Sequence, residues 1–428
     1  MFLLLTTVQI NAEQSDIIFG EWEGLIFLED KRVYIEVTFD KKDEDINGTI
    51  NIPSQEISDQ PLKIKEINDS EVVFEIKNVS DNLIFKGNYD KDKIEGWYSQ
   101  NGNNNYNFIV KNNTKNNENV LNLSGSEQEV EIPVKDGFLS ASLTYPKIHD
   151  IKDPVAILIP ESGPIDRDGN KPLGEQQINN LKNISYSLAN NDIISIRYDK
   201  RGVGKSSGLV KSKTPTFTQY RNDILKIIDY IKNNLGRKSQ NIFLVGHGEG
   251  STLAIMAAHK VENLAGLVLL AGPGFKQEVL LRRQLKKQNE ILYKDDEIED
   301  EQLLVRVLDK LIDAIENDDD FDLSRYNVPD DFKSIYRSLN KQRDFSKEWL
   351  NTSPSELLED VNLPTCIVQG ENDQQVSKED AERLSTAVSK KNLTLKYIKG
   401  VDHILLEDND EISPKVLNTI NKFISKNK

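Results

Sequence analysis

The chain has 428 residues, and 54 Lys and Arg against 70 Asp and Glu give it a formal net charge of −16. This balance argues against nucleic acid as a general partner, because a phosphate backbone is bound by clustered cations. A single cysteine, Cys366, excludes an intrachain disulfide and a cysteine-based zinc site, and four histidines leave little scope for a histidine-rich metal centre. We therefore expect neither a metal nor a cofactor.

The first residues resemble a secretory signal peptide. An apolar run from Phe2 to Val8 precedes residues that would accept cleavage before Glu13. We expect residues 1–12 to be removed and the protein to be exported, either to the periplasm or out of the cell. The run is short and no Lys or Arg precedes it, so a first β-strand in a cytoplasmic protein is the alternative. No later run reaches the ~20 apolar residues that span a bilayer.

Residues 13–112 predict a small all-β domain. Apolar and polar residues alternate from Tyr34 to Phe39 and from Leu83 to Tyr89, and turn signals such as Asn47-Gly48 separate such runs. Short, evenly spaced strands favour an antiparallel barrel or sandwich. The domain contains no cluster of catalytic residue types. Residues 113–127 are rich in Asn and Ser and predict a linker.

Residues 128–428 follow a different pattern, in which apolar strands alternate with helical stretches. Strands of the buried type are predicted at 155–160, 192–198, 241–245 and 264–270. Continuous apolar strands separated by helices predict a mostly parallel sheet of the α/β class, covered on both faces. From about 276 to 358 only helical spacing is present, which predicts a helical cap inserted into this domain.

The segment from Asn241 to Ala254 carries the main functional signal. A strand enters a turn flanked by Gly246 and Gly250 and continues into a helix, which is the layout of a nucleophile elbow, G-x-S-x-G. The middle position should hold a serine nucleophile, but it is Gly248. Ser251 lies one helical turn further on, where its hydroxyl is expected to point away from the elbow.

Two further residues complete a catalytic arrangement. Asp373 follows one predicted strand and His403 follows the next, so the order is nucleophile, acid, histidine. A histidine with a near-neutral pKa can take a hydroxyl proton, and a carboxylate can fix its tautomer and stabilise the imidazolium.

On these segments residues 128–428 resemble the α/β-hydrolase superfamily. They are most similar to bacterial esterases that carry a small β domain before the hydrolase domain and a helical cap within it. The loop from Glu161 to Asn170 and the turn from Arg197 to Ser206 add to the match. The resemblance implies a serine carboxylesterase-like activity on ester or acyl substrates. It also implies an oxyanion hole built from Ser162, Gly163 and Glu249.

Two departures from the family pattern change this expectation. The nucleophile position holds Gly248, and position 161 holds a glutamate where the family favours glycine. Loss of a triad serine costs on the order of 10⁶ in kcat, so we expect the chain to be nearly inert as a serine hydrolase. A glutamate at 161 would crowd the site or place negative charge near the developing oxyanion. The alternatives are a ligand-binding pseudoenzyme, or a peptidase-type hydrolase that lacks the same serine.

Overall fold

The computed structural model describes residues 18–28, 32–42, 45–55, 57–68, 70–77, 83–90, 92–112, 120–135, 137–171, 177–209, 215–294, 298, 300, 302–408 and 410–428. The predicted signal peptide, residues 1–12, lies outside this set, as do residues 113–119 of the predicted linker.

The amino-terminal part is a closed antiparallel barrel. Its strands are β1 (Gly20–Phe27), β2 (Arg32–Lys42), β3 (Asp45–Ile52), β4 (Ile57–Ile67), β5 (Glu71–Ile76), β6 (Leu83–Tyr89), β7 (Lys93–Gln100) and β8 (Asn103–Asn112). Each strand pairs with the next along the chain, and β1 also pairs with β8, so the barrel has no free edge. Because strand side chains alternate between faces, Phe74, Phe85 and Phe108 meet inside the barrel, with Phe74 and Phe85 stacked at 4.9 Å.

The second part is built on an eight-stranded sheet. Its strands are β9 (Ser126–Val134), β10 (Gly137–Tyr145), β11 (Val155–Ile159), β12 (Ile194–Tyr198), β13 (Ile242–His247), β14 (Gly266–Leu270), β15 (Thr365–Gly370) and β16 (Leu393–Ile398). Their order in the sheet is β16-β15-β14-β13-β11-β12-β10-β9. The strands from β11 to β16 run parallel, whereas β10 is antiparallel to both of its neighbours.

Ten α-helices accompany this sheet within the described residues. They are α1 (Asn180–Ala189), α2 (Phe217–Asn234), α3 (Glu249–Ala258), α4 (Gln277–Lys294), α5 (Leu303–Glu316), α6 (Asp330–Lys341), α7 (Arg343–Asn351), α8 (Pro354–Glu359), α9 (Lys378–Ala387) and α10 (Pro414–Asn427). Helices α1 and α10 pack on one face of the sheet, and α2, α3 and α9 pack on the other. Every residue of β11, β12, β13 and β14 is therefore buried.

Helices α4 to α7 form a cap with a hydrophobic core of its own. Leu308, Leu311 and Tyr336 are fully buried in that core, and the Tyr336 hydroxyl donates to the backbone carbonyl of Leu304 at 2.6 Å. Among the described residues, no helix combines the length and the apolar character that crossing a membrane requires.

The fold class predicted from the sequence is confirmed: a doubly wound, mostly parallel sheet with a helical cap follows a small all-β domain, which is a barrel. The strand order also locates the site. Strand β11 lies between β12 and β13, so the loops that follow β11 and β13 diverge to opposite sides of the sheet. Ligands in such folds bind in the crevice at this switch point, outside the carboxyl ends of the strands.

Candidate active site

Gly248 is the apex of the turn between β13 and α3. Its backbone has φ 53° and ψ −121°, a conformation that L side chains rarely adopt. The flanking glycines are required by close backbone contacts. A Cβ at Gly246 would lie 2.3 Å from the carbonyl oxygen of Gly250, and a Cβ at Gly250 would lie 2.3 Å from that of Ile159. The elbow geometry therefore persists although the residue at its apex has no side chain.

The structure brings the predicted acid and base together. Asp373 lies in the turn after β15, and its Oδ2 accepts a hydrogen bond from Nδ1 of His403 at 2.9 Å. The backbone N–H groups of Gln375 and Val376 donate to Oδ1 of Asp373, and the Gln369 amide donates to Oδ2. Burial alone would raise the pKa of Asp373, but the hydrogen bond and charge of His403 and the two backbone donors lower it below its usual value. His403 is thus oriented as a triad histidine would be.

Glu161 contacts the histidine nitrogen that a nucleophile at position 248 would contact. It follows β11, and its Oε2 lies 3.1 Å from Nε2 of His403. A Cβ built on Gly248 would lie 3.0 Å from the Glu161 Cβ and 3.5 Å from both Oε2 of Glu161 and Nε2 of His403. The carboxylate therefore lies beside Nε2, where a serine hydroxyl would have to sit.

The charges of Glu161 and His403 oppose general-base catalysis by the histidine. Burial favours a neutral Glu161, but the hydrogen bond to His403 and the nearby imidazoles hold the pKa of that carboxyl at about 2. Burial likewise favours a neutral His403, but the hydrogen bonds to Asp373 and Glu161 raise the pKa of the imidazole to about 9. At neutral pH His403 is consequently protonated between two carboxylates. It has no lone pair with which to take a proton.

The residues proposed for the oxyanion hole lie around one cavity. Ser162 and Gly163 follow Glu161, and Glu249 begins α3 directly after the elbow. These three line a cavity of about 430 Å³ whose other wall is formed by aromatic side chains of α2 and the cap: Tyr220, Phe345 and Trp349. An oxyanion role for the three remains a prediction.

Two residues of this cavity were not found by sequence reasoning. Lys200 is buried, and its Nζ donates to the backbone carbonyl of Glu161. Trp349 of α7 donates through Nε1 to Oε2 of Glu249 at 2.7 Å, which ties the cap to the first residue of α3. Burial raises the pKa of Glu249 and lowers that of Lys200. Lys200 lies within the segment from Arg197 to Ser206 that the sequence had marked, but no sequence pattern distinguished Trp349.

Buried ion pairs hold the Glu161 loop in place. Arg167 binds Asp199 with two bonds, from Nε at 3.1 Å and from a terminal nitrogen at 2.8 Å. Arg197 of β12 reaches Asp168 at 3.1 Å. These contacts join the loop after β11 to strand β12 and the loop that follows it, and they explain why both segments are rich in Asp and Arg.

Neither Ser251 nor Cys366 lies where it could act as the nucleophile at the elbow. The Ser251 hydroxyl is buried and donates to the backbone carbonyl of Gly246 at 2.8 Å, so it lies beneath the elbow. Cys366 is buried in β15, and burial raises the pKa of its thiol to about 12.

The chain is similar to several known proteins. The family model described as serine aminopeptidase, S33, matches residues 174–318. A monoglyceride lipase homologue of Monkeypox virus is 22% identical over 252 residues, which cover 56% of this chain and 82% of that relative. The α/β hydrolase GrgF from a Penicillium species is 18% identical with a TM-score of 0.47, covering 71% of this chain and 99% of its own. Est1E from Butyrivibrio proteoclasticus with ferulic acid bound is 18% identical with a TM-score of 0.43, covering 70% and 98%.

Proposed function

We propose that this chain, a member of the α/β-hydrolase superfamily, binds an ester or acyl ligand beneath its cap without cleaving it by serine chemistry. The proposal rests on one observation. The elbow apex is Gly248, and the carboxylate of Glu161 engages the histidine nitrogen that a nucleophile would need.

The two departures from the family pattern act together. Without a hydroxyl at position 248, no acyl-enzyme can form at the elbow, and the loss of about 10⁶ in kcat corresponds to about 8 kcal/mol of transition-state stabilisation. Glu161 places its carboxylate 3.1 Å from Nε2 of His403, so it holds the nitrogen that would have to take the nucleophile's proton. Either change alone would disable the reaction, so the present site favours binding over turnover.

The cavity beneath the cap supports an acyl ligand with some aromatic character. Tyr220, Phe345 and Trp349 supply apolar faces, whereas Lys200 supplies a buried amino group and Glu249 a partly buried carboxyl group. This combination matches the common design of small-molecule sites, in which apolar walls enclose a few placed polar groups. The relative named a monoglyceride lipase homologue is consistent with an ester ligand.

A peptide-type ligand is the second candidate. The observation in its favour is the matching family model, which is described as a serine aminopeptidase. A peptide ligand would meet the same site without a nucleophile. The two candidate functions therefore differ only in the ligand that is bound, and neither includes serine catalysis.

The test compares binding with turnover in the same protein. Phenyl butyrate should raise the melting temperature in a concentration-dependent way, by the equivalent of about 2.7 kcal/mol at 100 times Kd. Release of p-nitrophenol from p-nitrophenyl butyrate should stay at the buffer rate. Trp349→Ala should abolish the thermal shift, whereas Tyr293→Ala, an exposed aromatic of α4 outside the cavity, should retain it.

Two results would contradict the proposal. One is ester hydrolysis above the buffer rate that His403→Asn removes. The other is an unchanged melting temperature with both phenyl butyrate and an aminoacyl anilide. A shift with the anilide alone would replace the ester ligand by a peptide-type ligand.

A further inference from the structure

We propose that Glu161, His247 and His403 form a binding site for a divalent transition-metal ion of the zinc class, directly above the elbow glycine. This goes beyond ligand binding beneath the cap and does not depend on it. The sequence led us to expect no metal centre, because the chain has only four histidines. The fold nevertheless brings two of them to one carboxylate.

The spacing of the three groups fits a metal ion. Glu161, His247 and His403 each offer one ligand atom, and these atoms all lie within 4.8 Å of one another. Ligand atoms held ~2.0–2.1 Å from a tetrahedral ion lie about 3.3 Å apart. The 3.1 Å separation between Oε2 of Glu161 and Nε2 of His403 is close to that value. A modest adjustment of side chains would complete the site.

The outer contacts of both histidines resemble those of metal ligands. A ligating histidine commonly uses its second ring nitrogen to bind a carboxylate or a backbone carbonyl, which fixes the ring. In His403 that nitrogen is Nδ1, which donates to Asp373 at 2.9 Å. In His247 it is Nε2, which lies 2.8 Å from the backbone carbonyl oxygen of His403. Each ring therefore has one nitrogen engaged by an oriented oxygen. The other nitrogen of His403, Nε2, faces Oε2 of Glu161 and would lose its proton when an ion binds between them.

Shielding and space also favour an ion at this place. His247 is 1% exposed and His403 is 8% exposed, so water competes little for their nitrogens. Because Gly248 has no side chain, nothing from the elbow fills the volume that lies 3.5 Å from both Oε2 of Glu161 and Nε2 of His403. Two histidines and one carboxylate are a ligand set of zinc sites that keep a fourth position open. Here that position can take a water molecule.

The two departures from the family pattern thereby receive one explanation. Glutamate at 161 supplies the carboxylate ligand, and glycine at 248 keeps a side chain out of the space beside that ligand. Neither change alone would create the site, since a side chain at 248 would meet the Glu161 Cβ at 3.0 Å.

The test uses the full-length protein after treatment with EDTA. Zn²⁺ is titrated by calorimetry, and Co²⁺ is added as a spectroscopic probe of the coordination geometry. We expect one equivalent of Zn²⁺ and the intense visible absorption of four-coordinate Co²⁺. Glu161→Gln should weaken Zn²⁺ binding at least about 100-fold. Asp373→Asn should weaken it about 10- to 100-fold, the usual effect of losing an outer partner.

Controls separate a built site from surface binding. His149→Asn removes an exposed histidine far from the elbow in the chain and should leave Zn²⁺ affinity unchanged. Circular dichroism and the melting temperature show which variants fold. Glu161→Gln is nearly isosteric at a partly exposed position, so this variant should fold. It therefore tests the metal site even if the variant His247→Asn, at a buried position, does not fold. Absence of Zn²⁺ binding, or binding that survives Glu161→Gln, would overturn the proposal.

Discussion

Restoring serine chemistry should require two substitutions instead of one. The perturbation compares Gly248→Ser with the double variant Gly248→Ser/Glu161→Gly. The new Cβ at position 248 would lie 3.0 Å from the Glu161 Cβ and 3.5 Å from Nε2 of His403. The serine oxygen must therefore compete with a carboxylate that already lies 3.1 Å from the same nitrogen.

The expected changes in kcat and in stability follow from this geometry. With Glu161 present, the pKa of His403 near 9 keeps the imidazole protonated at pH 7.5. The single variant should consequently remain within about tenfold of the unchanged protein. With the glutamate removed, Nε2 becomes available, and kcat should rise by about 10³ to 10⁶, the range that a complete triad supplies. Placing serine at φ 53° should destabilise the fold by about 1–3 kcal/mol.

The assay is hydrolysis of p-nitrophenyl acetate and p-nitrophenyl butyrate by EDTA-treated protein, with chemical denaturation to measure stability. His403→Asn in the double-variant background is the control, because it should return the rate to background. Equal activity of the single and the double variant would refute the claim that Glu161 blocks the site. A double variant that is folded but inactive would refute the claim that the remaining machinery is intact.

Three further outcomes are expected. In metal-free protein, NMR titration should give His403 a pKa of about 9, and Glu161→Gln should lower this pKa towards 6.5. Because the pKa of His403 is raised in the folded state, its contribution to the free energy of unfolding is complete below pH 6.5 and is lost as pH rises through 9. Trp349→Phe removes the donor to the Glu249 carboxylate and should cost about 1–3 kcal/mol and speed proteolysis within the cap. Arg167→Met leaves a buried aspartate without its cation and should cost about 3–5 kcal/mol in urea unfolding, whereas loss of an exposed arginine should cost little.

The sequence was most informative where local chemistry is tied to strand ends. Glycines around position 248 identified the turn because its backbone contacts exclude any Cβ. Asp373 and His403 could be paired in advance because parallel strands bring their carboxyl ends to one edge of the sheet. The alternation of apolar residues before residue 112 also indicated an all-β domain, although it left barrel and sandwich open.

Contacts that depend on packing between distant segments could not be predicted from the sequence. The sequence marked Glu161 as a departure, but the 3.1 Å contact with His403 requires both loops to be placed in three dimensions. His247 and His403 are separated by 156 residues, so their proximity leaves no spacing signal. Trp349 lies on an amphipathic cap helix, where an aromatic side chain ordinarily indicates core packing. Its bond to Glu249 follows only from how the cap docks.

The most direct test of the account is the intact mass of the protein after incubation with a fluorophosphonate, a reagent that phosphonylates activated serines. The account predicts that the unchanged protein keeps its mass, whereas the variant Gly248→Ser/Glu161→Gly gains one phosphonyl group. A stoichiometric adduct on the unchanged protein that His403→Asn abolishes would show an activated serine in the site. That result would contradict the claim that this chain does not act as a serine hydrolase.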